Sequence, residues 1–151
     1  MLLLAALLAA TVPAAEQRAI FKAAGFSRHG ASWKSGNCKG LESASYSPGI
    51  VDRYSDLNGD GRPEAIVVEG GAICYGVIGQ HFWLLSKQPN GNWKLLFEQQ
   101  RLSGIRATKG VGGWPDLELG GRGTCYPIWR WNGKVYALNR FEYEGKPCKR
   151  P

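Results

Sequence analysis

The sequence predicts a mainly β fold: two consecutive antiparallel β-meander repeats packed together, with one short N-terminal helix. Three observations lead there. Beyond Phe26 no window sustains a helical period. Gly and Pro punctuate that part of the chain roughly every ten residues, between segments rich in β-branched and aromatic side chains. Finally, two stretches resemble each other: GRPEAIVVEGGAICYG (61–76) and GWPDLELGGRGTCYP (113–127) both run Gly-x-Pro-acid, strand, Gly-rich turn, Cys-Tyr.

The chain opens with MLLLAALLAATVPAA, an uncharged stretch too short to span a bilayer comfortably. Val12-Pro13-Ala14 is the small-residue pattern of a signal-peptidase site, although no Lys or Arg stands near Met1. Residues 1–14 are therefore read as a signal peptide. This leaves 15–151 as a single β-rich domain, exported across the inner membrane to the periplasm, monomeric and without a transmembrane segment. In EQRAIFKAAGF (16–26), Ala19, Ile20, Ala23 and Ala24 form one helical stripe, with Gly25 placed to end the helix.

Repeat one covers about 56–99 and repeat two about 107–143. In each, a Trp-bearing strand meets an Asn-Gly pair (Asn90-Gly91, Asn132-Gly133) and an aromatic strand leaves it. Asn-Gly between such strands is a strong hairpin signal, because both residues tolerate positive φ. Two sheets are too few to close a propeller, which needs roughly four blades. Face-to-face packing follows, with the helix over an end or an edge.

Four cysteines, Cys38, Cys74, Cys125 and Cys148, match no short zinc pattern. An even count in an exported chain predicts two disulfides. Equivalence of the repeat positions suggests Cys74 with Cys125, leaving Cys38 with Cys148. The net charge of +7 is spread along the chain, and only KPCKR (146–150) is locally concentrated. That distribution gives no nucleic-acid-binding run and suits a soluble surface with some preference for anionic partners.

DLNGDGRPEAIV (56–67) carries the most specific chemistry. Asp56, Asn58 and Asp60 alternate, Arg62 offers a carbonyl at position seven, and Glu64 stands ninth. Calcium takes six to eight oxygens, and alternate side chains on a tight glycine-bearing loop can converge on it. Val67 occupies the twelfth position, where an EF-hand needs a bidentate Glu, and a strand follows, so this is not an EF-hand. The competing reading is an Asx turn stabilised by its own backbone hydrogen bonds. With three carboxylates partly offset by Arg62, affinity is expected at about 10⁻⁵ to 10⁻³ M. The matching region of repeat two (107–116) has no acid before Asp116, so one structural calcium is the expected count.

No G-x-S-x-G, H-E-x-x-H or C-x-x-C occurs, and His29 and His81 stand apart, so catalysis is not expected. On TCYPIWRWN, Trp129 and Trp131 share one strand face while Arg130 lies on the other. Exposed, that tryptophan pair would stack on sugar rings or anchor a protein, with Arg130 beside it. Otherwise the two rings fill the space between the sheets.

DLNGDGRPEAIV resembles the calcium-binding repeats of the FG-GAP and VCBS type, Asp-x-Asn-x-Asp-Gly-x-x-Asp/Glu before a hydrophobic strand. The resemblance implies a β-hairpin unit whose leading loop binds calcium through Asp56, Asn58, Asp60, the Arg62 carbonyl and Glu64. The whole chain is similar to small secreted proteobacterial proteins. Some exported proteins with such loops act as immunity proteins or inhibitors against cell-wall lytic enzymes. The expected role is thus binding of an envelope protein; the alternative is a cell-wall or glycan-binding module using basic and aromatic residues.

Overall fold

The computed structural model describes residues 11–121 and 123–150. Most of the predicted signal segment, residues 1–10, lies outside the described residues. Helix α1 (Ala14–Ala23) ends as its sequence requires: Gly25 at φ +85° donates its N–H to Lys22 O, and Phe26 donates to Phe21 O. Those two bonds form a Schellman motif, and the rings of Phe21 and Phe26 supply its apolar contact at 5.4 Å.

The strands form two meanders. The first sheet contains β1 (Ser27–His29), β2 (Ser32–Lys34), β3 (Ser47–Ser55), β4 (Glu64–Gly70), β5 (Gln80–Lys87) and β6 (Trp93–Gln100), each paired antiparallel with the next. The second contains β7 (Leu102–Lys109), β8 (Pro115–Leu119), β9 (Tyr126–Trp131), β10 (Tyr136–Tyr143) and β11 (Lys146–Pro147), again in sequence order. A single residue, Arg101 at φ +41°, carries the chain from one sheet to the other. Both predicted Asn-Gly turns close hairpins. Gln88 N–H bonds Asn92 O around Gly91, and Asn132 N–H bonds Val135 O around Gly133.

Two cores are stacked through the first sheet. On one face Ala65, Val67, Trp83 and Leu85 pack against Ile20, Phe21, Ala24 and Phe26. On the other, Ile66, Val68, Phe82 and Leu84 meet Trp114, Leu117, Leu119 and Tyr136 of the second sheet. Strands β4 and β5 are therefore apolar on both sides, which is why AIVV and FWLL read as continuous runs rather than alternations. Helix α1 covers a face, not the end or edge expected, because the first sheet needs its outer side closed. Burying each of its large side chains contributes about 1.5 to 3 kcal/mol. Glu16 locks the helix in place, accepting from Lys87 Nζ at 2.5 Å and Trp93 Nε1 at 2.7 Å.

The sheets stack in the same sense. By the repeat alignment Trp83 corresponds to Trp129 and Ala65 to Leu117. The first pair member packs under α1, the second against the first sheet. The face that would meet a third layer, carrying Asp116, Glu118, Ile128 and Arg130, has become charged.

The disulfides join Cys38 to Cys74 and Cys125 to Cys148, so the expected pairing of Cys74 with Cys125 is corrected. Equivalent cysteines sit on connections of two different layers, and each finds its partner in a neighbouring segment of its own layer. Peptide mapping of the oxidised protein is expected to recover these two links. Replacing either pair by alanine should cost about 3 to 4 kcal/mol in denaturant unfolding, from the loop lengths the links close.

Candidate functional site

The loop from Asp56 to Glu64 joins β3 to β4 and is wrapped by its own side chains. Asp56 accepts the N–H groups of Gly59 (Oδ1, 2.8 Å) and Gly61 (Oδ2, 2.8 Å). Asn58 Oδ1 accepts from Asp60 N–H at 3.1 Å, and Asp60 Oδ1 accepts from Arg62 N–H at 2.8 Å. The backbone N–H groups directed at Asp56, that of Gly61 foremost and then that of Gly59, hold its carboxyl below its ordinary value. Gly59 and Gly61 lie at φ +78° and +83°, the angles such a wrap demands. Asp60 Oδ2 also takes the Arg62 guanidinium at 2.7 Å, while Arg62 Nε donates to Lys87 O.

Glu64 lies beneath this loop and is fully buried. Leu57 N–H donates to its Oε2 at 2.7 Å and Ser86 Oγ–H to its Oε1 at 2.8 Å. Both donors are neutral. Burial pushes its pKa up, Asp60 and Asp56 add like-charge repulsion, and the two hydrogen bonds do not offset them. Among the described residues no three His, Cys, Asp or Glu side chains converge as a metal-binding group. Asp56, Asp60 and Glu64 thus share one loop without gathering as such a group. The five expected ligands fit calcium in kind: hard oxygens, of which those on Asp56, Asn58, Asp60 and Glu64 are each bonded once or twice, with lone pairs to spare.

The second repeat treats the same position differently. Asp116, equivalent to Glu64 and equally buried, accepts Arg130 Nε at 2.9 Å, Arg130 Nη2 at 2.7 Å, Arg140 Nη1 at 2.9 Å and Thr108 Oγ1 at 2.6 Å. Burial alone would raise its pKa, but Arg130, Thr108 and Arg140 outweigh that and hold it at about 2. The network continues through Arg140 to Glu142, and through Arg106 to Glu142 and Glu118. The turn before Asp116 abuts the first loop. A Cβ on Gly113, at φ +79°, would stand 2.8 Å from Asn58 O.

Trp129 and Trp131 are half-buried and packed inward. Trp129 lies 5.2 Å from Phe97, and Trp131 lies 5.4 Å from both Trp114 and Tyr136. No exposed stacking platform results, and Arg130 is committed to Asp116. His81 sits between Tyr75 (5.5 Å) and Trp83 (4.6 Å), its Nε2 buried without a hydrogen-bond partner among the described residues, and burial lowers its pKa. His29 is on the surface, 3.0 Å from Ser27 Oγ.

Sequence reasoning missed Glu69, fully buried at the other end of β4. It accepts from Ser35 N–H (3.2 Å), the Ser35 hydroxyl, Tyr46 Oη–H (2.8 Å) and Tyr75 Oη–H (2.6 Å). Burial and this contact with Glu69 push the Tyr75 phenol up to about 12. The available signal was an acid embedded in the apolar run AIVVEGG.

Asp116 yields a pH prediction. Its folded pKa is depressed from 3.8 to about 2, so its contribution is complete above the unfolded value and fades as pH falls through 3.8 towards 2. Asp116→Asn should cost about 2 to 3 kcal/mol at neutral pH, a difference that shrinks steadily under acid in urea unfolding. 

No family model, curated protein or solved structure matches this chain.

Proposed function

We propose that this is an exported β-repeat binding protein whose fold is completed by one structural calcium in the Asp56–Glu64 loop, and that its partner is a protein of the cell envelope. The observation that carries this reading is the unequal treatment of two equivalent buried acids. Asp116 has two guanidiniums; Glu64 has an amide and a hydroxyl. A calcium ion above Glu64 supplies the missing counter-charge. Asp56, Asn58, Asp60, the Arg62 carbonyl and Glu64 are its ligands. Asp60 then exchanges the Arg62 guanidinium for the ion.

The partner side rests on the surface. Ile73 and Val77 are 62% and 72% exposed in the connection between β4 and β5. That connection contains the short helix α2 (Ala72–Tyr75) and is pinned by Cys38–Cys74 and by Tyr75 on Glu69. A rigid apolar tip loses little entropy on docking. With a net charge of +7, the partner it suits is an acidic protein, since like charges slow encounter with basic lytic enzymes. Two disulfides accord with an oxidising compartment, and no described helix is long and apolar enough to cross a membrane. Immunity to, or inhibition of, a cell-wall enzyme is the form of binding that the loop's resemblance suggests.

Thermal melts of the oxidised protein in EDTA and across a calcium titration test the ion. A saturable rise is expected, worth about 2.7 kcal/mol at 100 times the dissociation constant and absent in Asp60→Ala. A flat response up to millimolar calcium would reduce the loop to an ordinary turn. For the partner, Ile73→Glu with Val77→Glu should leave the melt unchanged and abolish retention of acidic envelope proteins on the immobilised chain. Retention on purified sacculi instead would favour the glycan-binding alternative.

A further inference from the structure

The segment between β2 and β3 (residues 35–46) has a cavity that the calcium and partner readings leave unused. Its ends are fixed: Ser35 and Tyr46 both donate to buried Glu69, and Cys38 is tied to Cys74. Between this segment and the β1–β2 hairpin lies a cavity of about 410 Å³ lined by Ser27, His29, Lys34, Lys39, Glu42 and Tyr46, among others. That volume is in the usual range for small-molecule sites, roughly 300 to 1,000 Å³.

The lining charges are unbalanced. Lys34 Nζ is 2.8 Å from Glu42 Oε1 and 5.5 Å from the centre of the Tyr46 ring, so these two cancel each other over an aromatic floor. Lys39 has no ion-pair partner among the described residues. Ser27 Oγ and His29, 3.0 Å apart, add hydrogen-bonding groups to the lining. An unpaired ammonium in a concave, pre-organised site attracts an anion, and the lysine of Lys34–Glu42 can share it. Tyr46 cannot respond by ionising: burial, and then its bond to Glu69, push its pKa well above the phenol range.

We propose that this cavity binds a small molecule through a carboxylate or phosphate group held by Lys39 and Lys34, with Ser27 and His29 contacting its polar body. The source is a free phosphate ester or an acidic sugar, and the test separates them. Amide chemical shifts of residues 27–46 would be followed on adding sodium phosphate or sodium glucuronate at constant ionic strength, with chloride as control. Saturable shifts in that segment are expected with at least one of the two, stronger for phosphate if phosphoryl groups are read and for glucuronate if the sugar acid is. Lys39→Ala should weaken them about tenfold, the loss of one charge-assisted contact, and Lys39→Arg should restore them. Lys39 is exposed, so neither change is expected to disturb folding. Shifts no larger than those from chloride, or undiminished in Lys39→Ala, would overturn the proposal.

Discussion

A carboxylate on a buried strand needs either a counter-charge or enough donors to replace water, and three such groups organise this molecule. Glu64 and Glu69 mark the two ends of β4, the strand apolar on both faces. Glu64 gathers the 56–64 loop and β5; Glu69 gathers the 35–46 segment and the α2 connection. Asp116 does the same for the second sheet, drawing in β7, β9 and β10. Connections with little apolar packing of their own are thereby bonded to buried strands.

Stacking in the same sense explains where the charges went. Each layer of such a stack has two apolar faces, so the end layers must be closed. Helix α1 closes one end with Ile20, Phe21 and Phe26. At the other end the second repeat closes itself. Arg130 stands where the first repeat has Leu84, and Glu118 where it has Ile66, and an ion-pair network takes the place of a further sheet. Ile128 stays buried, as Phe82 does in the first repeat. The two described layers thus carry a helix on one outer face and an ion-pair network on the other.

Much of the fold was legible. Turn chemistry at Asn90-Gly91 and Asn132-Gly133, the Gly25 helix stop and the Gly-x-Pro-acid repeat are local signals, and each has its counterpart in the structure. The disulfide pairing was not legible, since sequence equivalence says which positions correspond between layers, not which are close. Nor was the inward turn of Trp129 and Trp131, because strand alternation separates two faces without saying which is covered. Glu69 was hidden for a related reason. Its partners, Ser35, Tyr46 and Tyr75, are brought to it by long connections that carry no periodicity. The loop ligands were visible because alternate oxygens and glycines are a local pattern, whereas the contrast between Glu64 and Asp116 required the second repeat's arginines to be placed in space.

The proposed calcium site requires Glu64 to be ionised and balanced by an ion. The most direct measurement is the unfolding free energy of Glu64→Gln relative to the parent, in EDTA and in saturating calcium. A glutamine keeps an acceptor for Leu57 N–H and a group to pair with Ser86, but removes the charge. A reversal of sign is expected: the variant more stable than the parent without calcium, and less stable with it. A variant equally destabilised in both conditions would show that Glu64 acts only as a hydrogen-bond acceptor, and would contradict the central claim.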